Sequence, residues 1–240
     1  TATVLVAAIP GPCPLAETFN PVQHGGLSRT RDGRAMDSVI SRATTGSSQS
    51  FRWTDAEAWM DGLPDGQGLN IAHEAVVRHA AGDRADRVAL RFLRKGGAIE
   101  ELTYADLAEQ VARFANVLDG LGVGRGEKVF LLAGRVPDLY VAALGTLAHG
   151  AVVCPLFSAF GPDPIRQRME RGDGRVLVTT AALLRKKVSG LRASLPELRH
   201  VLLIDGDPSA IDDSDDPGVH HLATLMASAS RDHRIAETDP

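Results

Sequence analysis

From Leu69 onward, short apolar runs alternate with segments of helical period, and few folds accommodate that order. "LNIAHEAVVRHAA" places Ile71, Ala75 and Val76 along one side of a helix, and "VALRFL" reads as a strand. The helical "LTYADLAEQVARFANVLDGLG" and the strand "EKVFLLAG" follow. After them come a helix in "PDLYVAALGTLAHG", the strand "AVVCPL" and a helix from about Pro162. The pattern ends with the strand "RVLVTT", the helix "AALLRKKVSGLRASL" and the strand "HVLLID". Repeated strand–helix alternation predicts an α/β fold, a mostly parallel sheet with helices on both faces.

Local signals mark the ends of these elements. Thr103 stands three residues before Asp106, a capping-box spacing, and Ala108, Val111, Ala112 and Ala115 then follow helical spacing. Pro137 opens the next helix and Gly150 closes it, with Tyr140, Ala143, Leu144 and Leu147 as its expected apolar stripe. Residues 1–50 are rich in Pro, Gly, Ser, Thr and Arg and show no sustained period, so a disordered or non-native leader is expected there. Residues 51–68, with Trp53 and Trp59, are expected to form a short arm before the domain at 69–240.

Several function classes find no support. A net charge of −4 over 240 residues gives no general attraction to nucleic acid or anionic membrane. No run approaches a membrane span, and no basic region precedes the apolar start, so a cytoplasmic setting is expected. Cys13 and Cys154 are too few for a disulfide framework, and Cys154 is expected to be a small buried hydrophobe. "GLGVGRG" misses the dinucleotide spacing and follows a helix instead of a strand, so its glycines are read as a helix stop and turn. The aspartates between Asp205 and Asp216 lack calcium-loop spacing, and His220 with His221 lacks a third ligand, so no metal site is assigned. No catalytic residue is assigned either, since no nucleophile elbow or phosphate-loop motif occurs.

Two stretches invite a binding role. "AVVCPLFSAFGPDPI" begins as a buried strand and then meets Phe157, Ser158, Ala159 and Phe160 before two prolines. At the carboxyl end of a parallel strand, Ser158 and Ala159 leave room for a ligand, and Phe157 or Phe160 offers a flat wall. The alternative is a plain strand–turn–helix corner with buried aromatics. "LLRKKV" sets Arg185, Lys186 and Lys187 on a helix, as a phosphate-binding cluster or as a solvated face.

Four stretches together resemble the N-terminal part of the acetyl-CoA synthetases, in the adenylate-forming (acyl-CoA synthetase, adenylation-domain, luciferase) superfamily. They are "GLNIAHEAVVRHA", "LTYADLAEQVARFANVLDGLGVGRGEKV", "RVPDLYVAALGTLAHGAVVCPLFSAFGPDPIRQRM" and "GRVLVTTAALLRKKV". The resemblance spans about residues 68–205 and implies an incomplete N-terminal large domain, a partial AMP-binding domain truncated before the phosphate loop. It implies a parent enzyme that makes acetyl-CoA from acetate, ATP and CoA, with Mg2+, through an acetyl-adenylate. The chain alone is expected to be an inactive fragment. By the same resemblance Phe157, Ser158 and Ala159 border the CoA nucleotide. Arg185 matches a phosphate-binding position, and Lys187 stands beside the second, which falls near Val188. A ligase for propionate or another short acyl acid, and a non-catalytic CoA-binding or remnant protein, are the alternatives.

Overall fold

The computed structural model describes residues 3–6 (as backbone), 56, 59–94, 96–206 and 217–238. Two compact units divide the chain, one of residues 1–7 with 61–240 and the other of residues 8–60. In the second, the described residues form one turn in which Trp59 N donates to Ala56 O at 3.0 Å. Trp53, Cys13 and residues 207–216 of the Asp-rich segment lie outside the described residues.

The first unit holds two sheets. β1 (Thr3–Val6) falls in the segment expected to lack regular structure. The helical stretch after Asn70 runs through a π-helical turn, His73–Val77, into α1 (Arg78–Ala80). β2 (Val88–Leu93) and β3 (Ile99–Thr103) follow, and the order β1-β2-β3 is antiparallel throughout. "VALRFL" therefore belongs to a separate antiparallel sheet. Its alternating burial matches a sheet with one solvated face, where Arg91 pairs with Glu101 and Arg94 with Glu100 across the strands.

α2 (Tyr104–Gly120) starts with the expected capping box: Thr103 Oγ1 accepts from Asp106 N at 3.1 Å, and Asp106 Oδ2 accepts from Thr103 N at 3.1 Å. β4 (Lys128–Leu132) leads to α3 (Pro137–His149), which ends at Gly150 with φ 85°. Next come β5 (Val152–Pro155), α4 (Pro162–Arg171) and β6 (Val176–Thr179). α5 (Ala181–Leu183) continues as a π-helical turn, Leu184–Val188, and a 3-10 turn, Ser189–Ser194, where one regular helix was expected. β7 (His200–Leu203), β8 (Val219–His221) and α6 (Leu222–Ser228) complete the unit, and the last two carry no clear periodic signal.

The second sheet is parallel, in the order β5-β4-β6-β7-β8, so the expected α/β class holds. Its central strands are buried on both faces, which is why they read as unbroken apolar runs. Val129, Leu131, Val176, Val178 and Leu202 face α2 and α3 in one core. Phe130, Leu132, Leu177, Val201 and Leu203 face Ile165, Met169 and Val188 in the other. The period of two along each strand sorts the side chains between these layers.

Two further expectations need correction. β5 is an edge of the described sheet, with Val152 exposed and Cys154 half-buried, because only β4 pairs with it. In α3 the buried positions are Pro137, Val141, Ala142, Gly145, Thr146, Ala148 and His149, while Tyr140, Ala143, Leu144 and Leu147 are partly buried and pack against the core. α3 lies between the sheet and α2, and the close approach to α2 selects small residues. A Cβ on Gly145 would stand 2.8 Å from Phe114 Cβ.

Candidate ligand site at the strand ends

The strand order creates a switch point. The chain leaves β4 for β5 on one side, and leaves β6, the other neighbour of β4, for β7 in the opposite direction. Right-handed crossovers make this reversal change faces, so α3 covers one face while α4 and α5 cover the other. Loops after β4 and β6 part at their carboxyl ends, where open α/β sheets take ligands. Thr179 Oγ1 donates to Leu132 O at 2.7 Å and ties the two strands there. Gly134 and Arg135 follow, both exposed.

The loop after β5 forms one wall. Leu156 N donates to Leu131 O at 2.8 Å, which anchors the loop to the sheet, and Phe160 N donates to Phe157 O at 2.9 Å, which turns it. Gly161 then caps α4, with Pro162 in the first turn where its missing N–H is no loss. Phe157 is 65% exposed and meets Phe160 edge-on, with centroids 5.6 Å apart. The Arg168 guanidinium covers the Phe160 ring at 4.3 Å, a contact that sequence spacing did not reveal.

The basic cluster divides. Lys187 Nζ donates to Ser158 O and, at 2.7 Å, to Phe160 O, which joins the two stretches singled out in the sequence. Arg185 sits on the same π-helical turn, exposed, with no side-chain partner among the described residues. Val188 is fully buried in the core with Ile165 and Met169, which explains why the chain has an apolar residue there. The half-buried Asp138, in the first turn of α3, has its carboxyl pushed up by burial and by Glu100, against Arg94. Burial likewise pushes the Cys154 thiol up, with Lys128 opposing.

A second constellation lies at the other end of α3. The segment 229–238 crosses α2 and α3 as a strap, flanked by cavities of about 720 Å³ and 420 Å³. His233 Nδ1 stands 2.9 Å from Asn116 Oδ1 and 3.5 Å from Asp119, whose carboxylate also meets His149 Nε2 at 3.1 Å. Burial chiefly, and His149 next, hold the His233 imidazole below its ordinary value of about 6.5, with Asp119 opposing. The docked strap therefore favours neutral His233, so this contribution to stability is present above that ordinary value and is lost as pH falls below it. Exchange of the Ala236 amide, corrected for its intrinsic rate, is expected to rise on going from pH 7.5 to 5.5. An unchanged protection factor would contradict this sign.

Among the described residues, no group of three or more His, Cys, Asp or Glu is arranged to hold a metal. No helix of the described residues is long and apolar enough to cross a membrane.

A parallel sheet with a switch point, an aromatic loop at one strand end and a cationic turn beside it is an α/β domain of the kind in which open sheets take ligands at the strand ends. The chain belongs to the AMP-binding enzyme family, whose profile matches residues 77–237. It is 35% identical over 158 residues to an acetyl-coenzyme A synthetase of Bacillus subtilis (strain 168), covering 65% of this chain and 27% of that protein. It is 32% identical over 133 residues to a 3-hydroxypropionyl-coenzyme A synthetase of Metallosphaera sedula, covering 55% of this chain and 20% of that one. Among solved structures, an acyl-CoA synthetase of Brucella canis matches with a TM-score of 0.67 and 30% identity, over 79% of this chain and 33% of its own. The chain thus spans about a fifth to a third of the relatives it matches.

Proposed function

We propose that this chain is the N-terminal part of an acetate–CoA ligase and that the loop after β5 borders the CoA nucleotide. The observation that carries the proposal is the meeting, at the strand ends, of the Phe157–Phe160 loop with the π-helical turn bearing Arg185 and Lys187. Phe157 offers a planar apolar face, Ser158 and Ala159 admit a ligand to the backbone, and the free guanidinium of Arg185 suits a phosphate. Acetate as the acid, with ATP and Mg2+ in the parent, is supported by the names of the relatives. Another short acyl acid is the second reading, favoured by the 3-hydroxypropionyl-coenzyme A synthetase relative. The setting proposed is cytoplasmic, with small-molecule partners only. Residues 69–240 are proposed as the partial AMP-binding domain, 51–68 as its arm and 1–50 as a leader.

Calorimetry on the 240-residue protein is expected to show CoA binding that weakens roughly 10-fold in Arg185→Ala, the loss of one charge-assisted contact at an exposed site. Binding that is absent, or indifferent to Arg185, would overturn the assignment of this site. The chain alone is expected to give no ATP–pyrophosphate exchange with acetate, because the described residues carry no catalytic set. Measurable exchange would show that it is catalytically sufficient.

A further inference from the structure

The loop 157–161 is poorly provided with internal bonds. Pro155 and Pro162 flank it without N–H groups, and its one internal backbone hydrogen bond is Phe160 N to Phe157 O. The carbonyls of Ser158 and Phe160 need a donor from elsewhere, or solvent. Lys187 supplies it from across 29 and 27 residues of chain, with its ammonium on both oxygens at once. Three N–H donors belong to that ammonium, and two are committed here. It has no acidic partner among the described residues.

We infer that Lys187 is a positioning residue, which fixes the loop after β5 and with it the exposed ring of Phe157, and is not a phosphate ligand. This deepens the CoA reading above and rests on it. The division of labour follows from the π-helical turn, which leaves Arg185 and Lys186 exposed, half-buries Lys187 against the loop and buries Val188 fully. Holding the Phe160 carbonyl also holds the Phe160 ring, which lies between the Arg168 guanidinium and the edge contact with Phe157. Phe157 itself, 65% exposed, has little packing of its own to keep it in place. A planar ligand group that stacks on Phe157 therefore finds its platform prepared by Lys187, and the ordering cost of binding is reduced. The phosphate charge is left to Arg185.

The test compares the 240-residue wild type with Lys187→Met, which keeps the apolar stem, and Lys187→Arg, which keeps a cationic donor. Hydrogen exchange of the amides at 157–161 is expected to quicken about 10-fold or more in Lys187→Met, with β6 unchanged and protection regained in Lys187→Arg. Unchanged loop exchange would overturn the inference whether or not CoA binds. Calorimetry then separates positioning from charge. Lys187→Met is expected to weaken CoA and 3′-dephospho-CoA by the same factor, to leave the salt dependence of affinity as in the wild type and to leave pantetheine alone. A loss confined to CoA, or a shallower salt dependence, would make Lys187 a phosphate ligand and also overturn the inference. Wild-type protein that binds no CoA would sink the functional reading instead, and the loop exchange would still decide the role of Lys187.

Discussion

Replacing Phe114 with alanine is expected to lower the unfolding free energy by about 3–5 kcal/mol, the range for deleting a fully buried aromatic side chain. Phe114 is 0% exposed, at the centre of the core between α2, α3 and the sheet. Its ring lies on Gly145 so closely that a Cβ there would stand 2.8 Å from Phe114 Cδ1. Relaxation cannot easily refill the space, because backbone separation across α2 and α3 is already set by this contact. Alanine at 145 does not compensate either, since Phe114 Cβ occupies the place its methyl would take. Urea denaturation checks this: the midpoint should fall while the slope stays constant. A loss below about 1 kcal/mol would mean that the helices close over the gap.

Asn70 carries the second large effect. It is 1% exposed, and its Nδ2 donates to Leu147 O at 2.9 Å and to Ala236 O at 2.8 Å, while Oδ1 accepts from Ala72 N at 2.8 Å. One side chain thus caps the helical stretch from residue 71, binds the end of α3 and holds the strap. Ala236 N also donates to Ala148 O, and Thr238 N to Leu69 O, so the strap docks chiefly through polar contacts around this point. Asn70→Ala leaves the Ala236 carbonyl and the Ala72 N–H without this partner, while Leu147 O keeps its bond from Gly150 N, and at about 1–3 kcal/mol for each unsatisfied group the loss should be about 2 kcal/mol or more. Asn70→Asp separates the roles: the carboxylate keeps the cap and loses both donors. Both variants should free the Ala236 amide to exchange, and a strap that stays protected in Asn70→Asp would show that Asn70 does not hold it.

The features that sequence reading placed well are short-range. Thr103 with Asp106 marks a helix start, as do Pro137 and Pro162, and Gly150 marks a helix end; each signal acts within a turn of the boundary, where sterics and the backbone's own donors decide. Strand–helix alternation announced the parallel sheet, and the apolar runs "VFLL" and "VLVT" are strands buried on both faces of it. The buried-strand reading of "AVVCPL" failed, because an apolar run reports hydrophobicity and not the strand's place in the sheet. The expected α3 stripe is only partly buried for a related reason: hydrophobicity pointed to Tyr140 and Leu144, whereas the close approach to α2 places Gly145 against Phe114.

For the candidate site, residue types alone singled out both the aromatic loop and the basic turn, through their small, planar and cationic groups. Their roles were not legible there. Lys187 and Arg185 are nearly equivalent as letters, and only the π-helical turn sends one amine to the loop carbonyls and leaves the guanidinium free. The strap was equally silent, because His233 meets Asp119 and Asn70 meets Ala236 across 166 residues in the latter case. Alternation, caps and the α/β class were therefore determined by the sequence itself, through local geometry and the period of apolar residues. Strand order, the edge position of β5 and the division of charge between Lys187 and Arg185 were decided by the tertiary structure. They depend on which distant backbone groups come within hydrogen-bonding reach, and no local period encodes that distance.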